Sequence, residues 1–253
     1  MRNEEDILDT FVRYHTARVD ALLVADDGSD DATPRILEGL QASGIPIHVR
    51  RLSPSDVFPQ AAILTQLIQD AARKLDPDWI VPLDADEFVR GSLDRLAGLD
   101  GVVALPWQTY VPTPADAADG DVLDRLVHRK VHEDPQFFKV AISRAVFSHP
   151  EFRLGEGSHH VETPAAAAHR VDGVSLAHFP VRSAAQVRRK AGNFLRRARL
   201  PDRQPGHSYH LQRLAEECQR CSSMSAQDLQ RLAATYAAQE PVDQGVIRDP
   251  VRG

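Results

Sequence analysis

Only two cysteines, Cys218 and Cys221, occur in 253 residues, so no disulfide framework builds this fold. No apolar run approaches the ~20 residues that a membrane-spanning helix needs. The opening Met1-Arg2-Asn3-Glu4-Glu5-Asp6 is charged and lacks the apolar stretch of a secretory signal. An excess of positive charge is missing too: 30 basic against 36 acidic residues leave a net charge of −6, which does not suit general nucleic-acid binding. The chain therefore reads as cytoplasmic. The Cys218-Gln219-Arg220-Cys221 spacing suits a redox or zinc site, but no second pair exists and the segment has a helical pattern, so it carries no metal expectation. Repeats are absent, and Ala165 to Ala168 is the only low-complexity run.

What is present is a globular balance, 42% hydrophobic and 26% charged, at a length suited to one large domain or one with an appendage. Ile7, Leu8, Phe11 and Val12 recur at helical spacing and predict a helix from Glu4 to Ala17 with Asn3 as its cap. Ala21 to Val24 reads as a strand running into the acidic loop Asp26 to Asp31, with Thr33-Pro34 opening a helix through Leu40. Ile45 to Val49 is a second strand, and Gln60 to Leu75 an amphipathic helix. Trp79 to Leu83 is a buried strand that delivers Asp84, Asp86 and Glu87 at its carboxyl end. Gly101 to Trp107, Phe137 to Ile142 and Val174 to Phe179 are further strands, and Pro112 to Gly120 is a loop. Three helical segments follow, near 184–199, 208–221 and 225–239, before a dozen residues that read as frayed. The fold class is α/β, with a domain over 1–182 and a C-terminal helical extension over 183–253.

Chemistry concentrates at strand ends. Asp84 and Asp86, two apart, can turn toward one hard cation such as Mg²⁺ or Mn²⁺, and three carboxylates crowded in a buried place are costly without one. Asp-x-Asp alone more often describes a solvated turn, and it is the buried context that favours a cation. Asp26 lies closest to its strand, where a carboxylate can accept from a ribose or base, and Gly28 permits the sharp turn after it. Asp30 and Asp31 precede a helix and suit its dipole. His178 ends an apolar strand, where an imidazole is either structural or a ligand beside the carboxylates. His160 and Glu162, after the Gly155-Glu156-Gly157-Ser158 loop, are candidate proton acceptors together with Glu156, which the sequence alone does not rank. Arg182, Arg188, Arg189, Lys190, Arg196, Arg197 and Arg199 form a basic stretch that reads mainly as a solvated helix face, the alternatives being that it folds over a bound ligand's phosphates or approaches an anionic acceptor or membrane surface; Lys190 is the exception, a lysine that can reach a diphosphate. Trp107 and Tyr110 read as core or as a stacking platform.

The ordered set Arg2 to Leu8, Tyr14-His15, Asp26 to Thr33, Asp78-Trp79-Ile80 and Leu83 to Phe88 resembles the family-2-like glycosyltransferases of the GT-A fold. The resemblance continues through Phe138-Lys139, His159-His160-Val161, His178 to Ser183, Gln186 and Lys190, spanning about residues 2–190. It implies a mixed GT-A sheet and an inverting, metal-dependent transfer of a sugar from a UDP- or GDP-sugar to a glycan or other acceptor hydroxyl. By the same resemblance Asn3, Glu4, Asp26, Gly28, Asp84 and Lys190 bind the donor, and Asp84, Asp86 and His178 hold the Mn²⁺ or Mg²⁺. Such proteins usually open with an apolar strand just before the Asn-Glu segment. Here the sequence starts at Met1, which implies an upstream start or a covering segment or subunit. Two other readings are a nucleotidyltransferase, which lacks a glycine-rich triphosphate loop here, and a non-catalytic nucleotide-sugar or partner-binding domain.

Overall fold

Leu8, Phe11, Val12 and His15 turn inward along α1 (Leu8–Thr16), the opening helix of a computed structural model. The structure describes residues 1–52, 60–117, 119–133, 138–163, 167–198, 209–220, 223–236 and 245–252, except the side chains of 197, 198 and 209. The helix begins at Leu8 rather than Glu4, and Asn3 is not its cap. Asn3 sits at φ 59° and Ile7 holds the cap position without a side-chain bond. The reason is long-range: Glu4 and Asp6 face Arg182 at 2.7 and 2.8 Å, which fixes the entry turn outside the helix.

β1 (Leu22–Asp26), α2 (Thr33–Ala42) and β2 (Ile47–Arg51) form a parallel unit in register Leu22↔Ile47 through Asp26↔Arg51. Along the other edge of β1, the Met1 ammonium donates to Ala25 O at 2.8 Å and Met1 O accepts from Asp27 N at 2.9 Å. Among the described residues no ladder joins this pair to the larger sheet. α3 (Gln60–Leu75) has the bounds its periodicity predicts. β3 is shorter than expected, Trp79–Ile80, with Pro82 removing a ladder donor just beyond it.

The larger sheet adds β4 (Glu87–Arg90), β5 (Val102–Thr109), then α4 (Val122–Arg125) and β6 (His128–Lys130) at its flank, and β7 (Phe138–Ser143), α5 (Arg144–Phe147), β8 (Ala168–Arg170) and β9 (Ser175–His178). Its strand order is β3-β7-β5-β9-β4, with β8 also on β5. Pairings β3·β7, β5·β7 and β4·β9 are antiparallel, β5·β8 and β5·β9 parallel, so the sheet is mixed. Gly91 follows β4 at φ 84°, and Gly173 O occupies the place its Cβ would need.

α6 (Ala184–Ala198), α7 (Tyr209–Arg220) and α8 (Ala226–Ala234) share an apolar cluster with the sheet side through Val111, Val181, Val187, Leu214, Leu232 and Tyr236. The ends expected at 199, 208, 221 and 237–239 lie outside the described residues. Among the described residues of the C-terminal stretch, 245–252, the chain is not frayed. β10 (Val246–Arg248) pairs antiparallel with β6, and Asp249 accepts from Arg90 at 2.8 Å and Arg129 at 2.6 Å. These charge-assisted bonds and the Tyr110 hydroxyl, donating to Asp249 O, tie the chain end to the sheet.

His15 shows how tightly α1 is keyed to β4. Its Nε2 accepts from Val89 N at 3.3 Å, so Nδ1 carries the proton donated to Phe11 O at 2.9 Å, and the ring is neutral. Burial pushes its pKa down to about 4. The unfolded chain then takes up this proton first as pH falls, and His15 withdraws stability progressively from about pH 6.5 down to about 4. The expected loss between pH 7 and 4.5 is about 2–3 kcal/mol. Urea midpoints of His15→Gln should fall less steeply over that interval; equal slopes would remove His15 as the cause.

Candidate functional site

The turn after β3 is closed by its own side chain. Glu87 N donates to Asp84 O at 3.1 Å, and Asp84 N donates to Glu87 Oε2 at 2.8 Å. Glu87 is thereby fully buried and serves the turn; burial, against Lys139, pushes its carboxyl up to about 8. β4 pairs Glu87 with His178 of β9, and Phe179 N donates to Asp86 O at 2.8 Å. That register sets Asp86 beside His178. Asp84 points outward, its side chain 45% exposed, while that of Asp86 is 7% exposed.

Each aspartate meets a lysine. Lys139 Nζ of β7 donates to Asp84 Oδ2 at 2.6 Å and lies 3.6 Å from Glu87 Oε1. Lys190 Nζ of α6 donates to Asp86 Oδ2 at 2.9 Å. Arg182, with no exposed side-chain surface, donates to Glu4 and Asp6 and stands 3.7 Å from Asp86. Desolvation alone would raise the Asp86 carboxyl; Lys190 and Arg182 outweigh it and hold it well below the usual carboxylate range. The solvated-face reading of the basic stretch is corrected here for Arg182 and Arg189, whereas Arg188 and Arg196 are exposed and Lys190 is already its exception. Arg182 is core, Lys190 is on Asp86, and Arg189 pairs with Glu5 at 3.2 Å and Asp6 at 3.0 Å. Arg196 lies on the surface 3.9 Å from Asp30. The Arg197 side chain and Arg199 lie outside the described residues.

His178 Nε2 faces Asp86 Oδ2 at 4.0 Å, and its buried Nδ1 has no hydrogen-bond partner among the described residues. Its ring lies 4.2 Å from Trp107 and 5.5 Å from Tyr236, centroid to centroid, and Lys190 Nζ is 5.2 Å from the Tyr236 centroid. Burial pushes the imidazole down to about 3, so it is neutral at physiological pH. A neutral imidazole and an ionised carboxylate facing one another are a donor set that a hard divalent ion accepts. Among the described residues, no three acidic, His or Cys side chains are already grouped around one ion position. Asp84 is engaged by Lys139 instead.

The acidic loop after β1 is built on its own contacts. Asp26 is buried, and its Oδ1 accepts from Ser29 N at 3.1 Å and Ser29 Oγ at 2.6 Å across Gly28, at φ 62°. Asn3 ties to the same loop, donating from Nδ2 to Asp30 at 2.6 Å and accepting from Asp30 N at 2.9 Å. Glu4 N donates to Thr33 Oγ1 at 2.9 Å while its carboxylate takes Arg182. Asp31 accepts from Thr33 N at 2.9 Å and so does the helix-start work expected of it.

His160 and Glu162 flank Val161 of the 154–161 bridge, their side chains 60% and 62% exposed, with Nε2 and Oε1 3.9 Å apart. It is the neighbouring His159 that turns inward, donating to Phe138 O at 2.5 Å with its ring 5.7 Å from Trp107. Trp107 and Tyr110 are both core, as one of the two readings has it. Lys139, Arg182 and Tyr236 also stand beside Asp84, Asp86 or His178. Lys139 and Arg182 belong to the runs that carry the resemblance, without a role assigned there, and Tyr236 stands in an ordinary helix pattern.

Residues 1–97 match the family model of glycosyl transferase family 2. The crystal structure of S. aureus TarS residues 1–349 in complex with UDP is similar at 12% identity and a TM-score of 0.47, over 90% of this chain and 71% of that one. No match is found among the curated proteins. No helix among the described residues is long and apolar enough to cross a membrane.

Proposed function

We propose, from the match of residues 1–97 to the family model of glycosyl transferase family 2, that this protein moves a sugar from a nucleotide-diphosphate donor to an acceptor hydroxyl with inversion. The observation that supports it most is the convergence of Asp86, His178 and Lys190 from three separate elements, Asp86 within hydrogen-bond reach of Lys190 and 4.0 Å from His178. Asp86 and His178, with Asp84 once free of Lys139, would hold a divalent cation. Bound there, such an ion neutralises charge on the departing diphosphate, so that no proton need reach the leaving group. Asp26 and Asn3 shape the loop that meets the nucleoside, and Lys190 stands ready for a phosphate oxygen. The acceptor proton passes to the 155–162 loop, where His160 and Glu162 are both open to solvent.

The test is equilibrium binding of UDP and of GDP, each with Mn²⁺, Mg²⁺ or chelator. One nucleoside diphosphate should bind in metal and weaken by at least about tenfold in chelator, raising the melting midpoint with it. If neither binds under any condition, the donor-site reading fails.

A further inference from the structure

Lys139 and Lys190 approach the acidic pair from different elements, β7 and α6, and each ends on a different carboxylate, at 2.6 and 2.9 Å. Neither is a surface lysine folded back, since their side chains are 2% and 20% exposed. Burying an ammonium carries a desolvation cost that a paired carboxylate must offset. The two pairs close the charge of the Asp-x-Asp turn without any bound ion. Asp84 still opens to solvent, while Arg182 adds a third buried cation 3.7 Å from Asp86.

We propose that Lys139 and Lys190 are resident counter-ions, which release Asp84 and Asp86 to a divalent cation only when a diphosphate arrives to take the two ammoniums. The inference rests on the donor-site reading above and adds a role for this chain's own lysines. A cation arriving alone would bring two further positive charges beside Lys139, Lys190 and Arg182. A diphosphate arriving alone would meet two carboxylates. Arriving together, they exchange partners: the cation takes the carboxylates, the lysines take phosphate oxygens, and the balance of charge in a poorly screened site is kept. The two affinities are then coupled, and by linkage the factor is the same in both directions.

The experiment measures Mn²⁺ binding to the full chain, by the electron paramagnetic resonance of free Mn²⁺ and by calorimetry, with and without saturating UDP and, separately, GDP. Nucleotide should tighten Mn²⁺ by at least about tenfold after correction for the complex that forms in solution. Lys190→Gln should bind Mn²⁺ alone more tightly than the native chain and lose most of that coupling. A purely structural lysine would give neither change. Lys139→Gln, checked for native circular dichroism, should act in the same direction on the metal alone. Equal Mn²⁺ affinity with and without a nucleotide that binds overturns the partner exchange while leaving the donor reading intact. Absence of binding by either nucleotide overturns both. Mn²⁺ affinity unchanged in Lys190→Gln overturns the counter-ion role.

Discussion

Arg182→Met is expected to lower the unfolding free energy by about 3–5 kcal/mol, the cost of leaving buried charges without their partner. The guanidinium has no exposed side-chain surface and donates to Asp6 at 2.8 and 3.1 Å, to Glu4 at 2.7 Å and to Phe179 O at 3.1 Å. Methionine keeps much of the volume and none of these bonds. Glu4 and Asp6 would have to reach solvent or bind protons, and the entry to α1 would loosen with them. For a chain of this size the melting midpoint should drop by roughly 6–20 °C. Arg182→Lys should recover only part of the loss, because one ammonium cannot span Glu4 and Asp6 with a planar fork. A loss below about 1 kcal/mol for Arg182→Met would show that the hub carries little stability.

Where a feature was legible in the sequence depended on the range of the interaction behind it. α3 was fully readable, since a run such as Leu64, Leu67, Ile68 and Ala71 encodes its buried face within a few turns. The acidic turn was equally visible, because Asp84 to Glu87 end an apolar strand and the bond from Asp84 N to Glu87 is local. In the sequence Arg182 reads as part of a solvated basic face, because its partners Glu4 and Asp6 lie 178 and 176 residues away and helical periodicity carries no trace of them. The chain end reads as frayed for a similar reason. Asp249 finds Arg90 and Arg129 at separations of 159 and 120 residues, and its strand borrows its pattern from β6. Asn3 has the residue type of a helix cap and equally one that tolerates the left-handed region, and it is the distant Asp30 contacts that select the second.

Asp86→Asn is expected to weaken metal-dependent nucleotide binding by at least about 100-fold and to lower sugar transfer by about 10²–10³. Asparagine has the shape of the carboxylate but no charge, so the fold survives better than with a truncation. Lys190, with its side chain 20% exposed, can turn to solvent. What is lost is the anionic oxygen that Lys190, Arg182 and His178 all surround. Asp84→Asn should cost less, because its side chain is 45% exposed and, among the described residues, engages Lys139 and, at 3.4 Å, Gln60. The ranking is the decisive part. Were Asp84→Asn the more damaging of the two at equal stability, the centre of the site would lie toward β7 and Gln60, and Asp86 would be a structural partner of Arg182. If Asp86→Asn keeps native metal-dependent affinity for both UDP and GDP, the carboxylate belongs to the fold and not to the donor site.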